Sequence, residues 1–179
     1  MTPYINYFWQ LKGIESDYRW ERVFPDGYLG ILINLGENSL SDNGSRSLKF
    51  GKTYVVGAMT SFKDTFIDRN SHLIGVCLKP ATLSNFYNYT PENILDNDTI
   101  EFDVPDPLNA DKIINDPFEY LNRYFTERNR KITNILNSVI NDIDLSNGQL
   151  RINETSRRNH MALRQLERNF KKHVGMSPK

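Results

Sequence analysis

Over the first eighty or so residues, apolar positions fall in short runs separated by turn chemistry. Tyr4-Ile5-Asn6-Tyr7-Phe8-Trp9-Gln10-Leu11 is dense in aromatic and β-branched residues and reads as a strand or short helix entering a core. Tyr18 to Val23 alternates in character, as a half-buried strand does. Pro25-Asp26-Gly27 follows with turn chemistry: Pro fixes φ, Asp bonds its own backbone and Gly tolerates positive φ. Tyr28 to Leu35 is a nearly continuous apolar run of strand length, and the polar stretch Gly36 to Arg46 predicts a surface loop. Lys52 to Ala58, Phe62 to Asp68 and His72 to Lys79 are three further strands, with Asp68-Arg69-Asn70-Ser71 the clearest break between them. Short strands at this spacing, without long intervening helices, predict an antiparallel sandwich or barrel.

The period then changes. Pro80 opens a short helix over Ala81 to Tyr89, and Asn93 to Asn109 is left irregular. Asp116-Pro117-Phe118-Glu119 places Asp at an N-cap, Pro at N1 and Glu at N3, and Leu121, Tyr124 and Phe125 continue the stripe. Ile132, Ile135, Leu136, Val139, Ile140 and Ile143 recur at helical spacing, for use as a dimer seam or for packing on the β part. Ser146-Asn147-Gly148 stops that helix. Ile152 to Asn159 forms one more short helix, His160-Met161-Ala162 a tight turn, and Leu163 to Val174 a second helix ended by Gly175. Leu163, Leu166, Phe170 and Val174 share one stripe of the last helix, while Arg164, Glu167, Arg168, Lys171 and Lys172 lie off it. The fold class is therefore α+β.

Charge sharpens the reading of the last segment. The chain has 179 residues with 22 basic and 22 acidic side chains and no net charge. Residues 151–179 nevertheless carry eight Lys/Arg against Glu154 and Glu167, a surplus of six that residues 1–150 balance with six negative charges. A basic end on an acidic body is the asymmetry expected of a contact with a polyanion. The rest of the composition excludes other classes. With 39% apolar and 25% charged residues the chain is globular rather than disordered. No apolar run approaches the roughly 20 residues of a bilayer span, and Met1-Thr2-Pro3-Tyr4 does not begin a secretory signal, which predicts a cytoplasmic protein with no membrane partner. A single cysteine, Cys77, excludes an internal disulfide and a cysteine-only zinc site. His72, His160 and His173 are widely separated, so neither a metal nor another cofactor is expected. His72 beside Ser71 and Asp68 is read as a turn rather than a triad, because no nucleophile-elbow sequence accompanies it; no catalytic residue is assigned and the chain is not expected to be an enzyme.

Leu163-Arg164-Gln165-Leu166-Glu167-Arg168-Asn169-Phe170-Lys171-Lys172-His173-Val174-Gly175-Met176-Ser177-Pro178-Lys179 resembles the first helix-turn-helix of the AraC/XylS transcriptional regulators, whose pattern runs Ser-x-Arg-x-Leu-x-Arg-x-Phe and then Gly-x-Ser-Pro. Arg22 to Gly27, Asn34-Leu35-Gly36, Val55 to Thr60 and Gly75 to Pro80 look like the poorly characterised N-terminal domain that precedes such modules in many bacterial regulators. The resemblance implies a β barrel or sandwich, cupin-like or similar, over residues 1–110 that senses an effector or dimerises. A helical connector over 111–147 and an incomplete DNA-binding module over 148–179 would follow. It implies double-stranded DNA as partner, with a small-molecule effector and a homodimer as possible further ones. The DNA-facing set is Arg164, Gln165, Glu167, Arg168, Lys171 and Lys172. Arg164 is first for base contact, since Arg bonds guanine bidentately, and Glu167 can accept from cytosine.

The sequence departs from that pattern in three places. Ala162 stands where the family usually has a capping Ser, and Thr155 where it has a core Leu. The chain also stops at the start of the linker to a second helix-turn-helix, as a piece of a longer protein or a shortened product would. These departures keep open an alternative: a small-molecule-binding or dimerisation module without DNA function. For an effector, Trp9, Trp20, Arg22 and Tyr28 are the candidate contacts. The aromatic residues, with Tyr18 and Phe8, could equally fill a core. Asp26 could brace its turn, Arg22 could pair locally, and Cys77 reads as a small core residue.

Overall fold

The computed structural model describes residues 2–37, 39–94, 99–130, 132 and 134–178. Met1, Asn38, residues 95–98, Lys131, Thr133 and Lys179, which several of the expectations above include, lie outside the described residues. The chain is α+β, an antiparallel β body followed by helices.

Five antiparallel strands make the main sheet, in the order β1 (Ile5–Lys12), β8 (His72–Leu78), β3 (Leu29–Asn34), β6 (Thr53–Val56), β9 (Thr99–Glu101). A second layer is built from the ribbon of β2 (Tyr18–Val23) with β7 (Lys63–Asp68) and the hairpin of β4 (Ser39–Ser41) with β5 (Arg46–Leu48). Ser39 Oγ donates to the Phe66 carbonyl at 3.2 Å, which holds that hairpin beside β7. Among the described residues no strand ladder joins the two layers, so the body is an open sandwich and not a closed barrel.

The ribbon continues the pairing of β1 with β8 around a corner. At that corner the Asp68 carboxylate accepts from the Asn70 amide at 2.9 Å and from Ser71 Oγ at 3.1 Å, the turn anticipated at this tetrapeptide. Gly13 crosses the same turn so closely that a Cβ there would overlap the Asp68 carbonyl. Ser71 thus bonds Asp68, while His72 pairs with Gln10 at 2.8 Å, so the three residues form a turn and not a triad.

Both faces of the main sheet are apolar. One bears Phe8, Ile31, Ile33, Val55, Ile74 and Val76 and is covered by α2 (Pro117–Glu127) and by Leu83, Phe86, Tyr87, Phe102 and Leu108. Phe125 of α2 meets Phe86 edge-on at 5.0 Å and stacks on Phe8 at 6.4 Å. The cap read from sequence is present: Asp116 Oδ1 accepts the Glu119 amide at 3.0 Å. A short helix α1 (Ala110–Ile113) precedes it.

The last three helices are α3 (Asn137–Leu145), α4 (Ile152–Arg158) and α5 (Leu163–Val174). They enclose a separate small core of Leu136, Val139, Leu166, Phe170 and Val174 with Ala81 of the β body.

Four local expectations are corrected. The polar stretch at Gly36–Arg46 contains the β4 strand and a 3-10 turn at Asp42–Gly44 leading to β5, because edge pairing needs few apolar residues. The segment Asn93–Asn109 contributes β9, whose partner β6 is more than forty residues away. Ala81–Tyr89 forms only a 3-10 turn at Leu83–Asn85, with Ala81 at φ 61°. The isoleucine-rich helix starts at Asn137 and not near Ile132, and Ile132 and Ile135 are exposed. Two buried asparagines account for this late start. Asn85 Nδ2 donates to the Arg130 and Ile132 carbonyls at 3.0 and 3.1 Å. Asn134 donates to the Ala81 carbonyl at 2.8 Å and accepts from the Leu136 amide at 2.9 Å. These bonds hold the backbone in a form that competes with the helix.

Candidate functional site

Two places in the molecule combine chemistry with access: the outer face of α5, and a cavity between the two β layers.

Asn159 caps the C-terminal end of α4, and its side chain donates to Asp142 of α3 at 2.8 Å. His160 then takes a left-handed conformation (φ 51°) and the Met161 amide closes on the Ser156 carbonyl at 2.9 Å. The chain re-enters a helix at Leu163. Ala162 occupies the N-cap with extended backbone and no side-chain hydrogen bond to the first turn. At the other end Gly175 closes α5 in the left-handed form at φ 94°. Of the predicted stripe, Leu166, Phe170 and Val174 are buried and Leu163 is half-buried. Thr155 is buried too, and its hydroxyl donates to the Arg151 carbonyl at 3.2 Å. Beside it lies a cavity of about 290 Å³, lined by Ile143, Ile152, Thr155, Phe170 and Met176 among others.

Arg164, Glu167, Arg168, Lys171 and Lys172 are exposed and Gln165 half-buried, so the basic side of α5 faces solvent and not the acidic body. Among the described residues none of these six forms an ion pair, in contrast to Arg158, which is tied to Glu154 at 2.7 Å within α4. Residues three, four and seven apart on a helix share a face, so Arg164, Glu167, Arg168 and Lys171 present one contiguous surface. The C-terminal end of α5 rests on the 3-10 turn Pro91–Asn93 of the β body, with Gly175 against Pro91. His173 is half-buried there. Burial, and then the neighbouring Lys172, pull its pKa below the ordinary value, while Glu92 opposes the shift.

The second place is a cavity of about 380 Å³. Its floor is the second face of the main sheet. Register sets that floor in cross-strand rows: Trp9, Gly75, Leu32 and Tyr54 in one, and Tyr7, Cys77, Gly30 and Val56 in the next. The Trp9 indole lies directly on Gly75, where an added Cβ would sit 2.5 Å from the ring. The roof is the inward side of the ribbon, Glu21 and Val23 on β2 with Lys63, Thr65 and Ile67 on β7. Lys63 is buried; its ammonium lies 2.9 Å from Asp42 Oδ1 and donates to Thr99 Oγ1 at 2.8 Å. Asp42 also accepts from the Thr99 amide at 3.0 Å, so this cluster ties β7, the β4–β5 hairpin and β9 together.

Of the four residues read from sequence as ligand contacts, Trp9 and Tyr28 line the cavity. Trp20 and Arg22 do not. In a strand successive side chains point to opposite faces, and β2 turns its even-numbered residues outward. Trp20 packs edge-on to Phe66 at 5.4 Å, and Arg22 pairs with Asp64 across the ribbon at 2.9 Å and sits 3.7 Å over the Phe62 ring. Tyr18 is exposed on the same outer side, and Phe8 is on the opposite face of the main sheet. Asp26 lines the cavity mouth and accepts the Tyr28 amide at 3.0 Å, bracing its turn. Glu21, Lys63, Thr65 and Ile67 escaped the sequence reading. The alternation read as a half-buried strand, but all six residues of β2 are exposed, and the aromatic half, the natural choice for the inner side, is the outer one. Cys77 is a buried floor residue whose thiol is pushed up to about 11, chiefly by burial.

Among the described residues no helix is long and apolar enough to cross a membrane, and no group of three or more His, Cys, Asp or Glu is placed to hold a metal ion.

No curated protein matches the chain. Among solved structures, it is similar to wild-type ToxT from Vibrio cholerae strain SCE256 with unsaturated fatty acid bound, at 11% identity and a TM-score of 0.35, over 99% of this chain and 95% of that one. A second ToxT structure from Vibrio cholerae gives 8% identity and a TM-score of 0.32, over 96% and 95%. A family model described as "Domain of unknown function (DUF6597)" matches residues 1–100. Residues 1–100 hold all but the last residue of the β body, including the whole described lining of the larger cavity, and on this match the chain belongs to the DUF6597 family.

Proposed function

We propose that the chain is the sensory and first DNA-contacting part of a cytoplasmic regulator of the AraC/XylS type, with α5 as the helix that enters a major groove and the larger cavity as the effector site. The observation that carries this reading is the two-sidedness of α5. Leu166, Phe170 and Val174 anchor it, while Arg164, Arg168, Lys171 and Lys172 are exposed and, among the described residues, unpaired. Lysines and arginines left free on one helical face, following a tight turn from a preceding helix, are suited to phosphates and base edges. Arg164, in the first turn of α5, would make the bidentate contact with guanine, and Gln165, Glu167 and Arg168 flank it. Lys171 and Lys172 supply phosphate contacts. The reading is non-enzymatic: the one thiol is buried and held protonated, and Ser71 is tied into its turn.

A gel-shift series from about 50 to 200 mM salt tests it. A single helix-turn-helix buries little surface, so binding is weak and falls steeply with salt. Arg164→Ala relaxes preference at one base position in a binding-site selection, at a cost of about 1–3 kcal/mol. Lys171→Ala weakens binding to all sequences and lowers the salt slope by about 1. Absence of duplex binding at low salt, or binding that neither substitution alters, would favour the second reading, a ligand-binding or dimerisation module. The cavity and the uncapped start of α5 speak for that alternative.

A further inference from the structure

The charge inside the larger cavity is unbalanced, and the imbalance selects among ligands. Its aromatic side chains are Tyr7, Trp9 and Tyr28. Among the described residues the one lysine lining it is Lys63, whose side chain is 6% exposed and whose ammonium is already neutralised by Asp42 at 2.9 Å. An anionic ligand could use Lys63 only by breaking that buried pair and leaving Asp42 uncompensated. Two more carboxylates, Glu21 and Asp26, line the same space. Glu21 shares the Arg19 guanidinium with Asp17, so these three side chains keep one negative charge in excess. Asp26 is bonded to the Tyr28 amide and, among the described residues, pairs with no cation.

The neighbouring donors fit the same picture. The Tyr7 phenol is pushed up to about 12, first by burial and then by Cys77 and Asp26, so it stays neutral and adds no charge of its own. The floor is apolar: Gly30 lines it without a side chain, and the Trp9 ring covers Gly75. A cation held between carboxylates and aromatic faces gains from both, since the face of an aromatic ring attracts positive charge.

We infer that this cavity takes a small organic cation, an ammonium group carried on an aromatic or aliphatic body, with the ammonium toward Asp26 and Glu21 and the body over Trp9 and the sheet floor. The volume of about 380 Å³ lies at the lower end of small-molecule sites and suits a body of one or two rings. This rests on the reading of the cavity as the effector site and names the class of effector.

Titration calorimetry on the whole chain with three probes of matched shape tests it: phenethylammonium, phenethyl alcohol and hydrocinnamate. The cation saturates, binding about fivefold or more tighter than the alcohol, and hydrocinnamate binds weakest. Asp26→Asn keeps the acceptor that braces the turn but removes the charge, and it abolishes the preference for the cation over the alcohol. Tighter binding of hydrocinnamate, lost in Lys63→Met, overturns the inference by making Lys63 the anchor. Equal binding of cation and alcohol overturns it too, and leaves the effector reading standing. Saturation by none of the three overturns both, whatever the gel-shift series shows, because that series reads α5 and not the cavity.

Discussion

Single residues decide the shape of both sites. Gly75 is the clearest case. It sits mid-sheet between Trp9 on β1 and Leu32 on β3, where glycine ordinarily weakens a strand. Here the absent side chain is the space that the Trp9 ring fills. A Cβ would lie 2.5 Å from that ring and 2.9 Å from the Ile31 carbonyl, and the carbonyl belongs to the sheet and cannot move alone. Gly75→Ala therefore destabilises the chain by about 1–3 kcal/mol, as overpacking does, and changes tryptophan emission as the Trp9 indole is displaced. Urea unfolding followed by fluorescence reads both effects; an unchanged midpoint would show that Trp9 does not rest on Gly75. The buried asparagines are the polar counterpart. Asn85 and Asn134 spend their side-chain amides on backbone carbonyls, and this holds the segment before α3 against the β body.

At the scale of elements, α5 shows how a helix can be well placed yet imperfectly started. Ala162 has the extended backbone of an N-cap (φ −67°, ψ 143°) but no oxygen to offer the first-turn amides. Ala162→Ser supplies one, and thermal or urea unfolding should show a gain of about 1 kcal/mol. No gain would mean that those amides are already satisfied. The ribbon β2–β7 carries the opposite lesson. Its aromatic side, Tyr18, Trp20 and Phe66, clusters on the outside, and its mixed side, Glu21, Val23, Lys63, Thr65 and Ile67, roofs the cavity. Alternation alone gives two faces and does not say which is inward.

For the whole molecule, pH separates two sets of groups. His72 and His173 both have pKa values below the ordinary 6.5, in each case first from burial and then from a nearby lysine. As pH falls through about 6.5 the unfolded chain takes up these protons before the folded chain does, so folding stability falls with falling pH. The folded pKa of Asp17, Asp64 and Glu101 is instead depressed, by the Ile14 amide, Arg22 and Lys52 respectively, and that stabilisation is lost only lower, through the carboxylate range. Urea midpoints should therefore decline between about pH 7 and pH 5, and the paired substitutions His72→Gln and His173→Gln should flatten that decline. A decline that persists undiminished in the double variant would point to other groups.

Much of this protein is written locally. The Asp116 cap, the Asp68–Ser71 turn, the β8 and β3 strands and the buried stripe of α5 were legible because short-range spacing and capping chemistry specify them. The exposed basic side of α5 followed from the same periodicity. The sequence did not reveal the pairing of β9 with β6, the late start of α3 or the inward side of β2. Each is settled by a partner distant in the chain: β6 for β9, Ala81 and Asn85 for the segment before α3, and the β1–β8 floor for the ribbon. Periodicity is an energy of neighbours, and it says which residues share a face. What that face meets, and so where the cavity and its carboxylates lie, is set by contacts that exist only after the sheet has closed over its own distant strands.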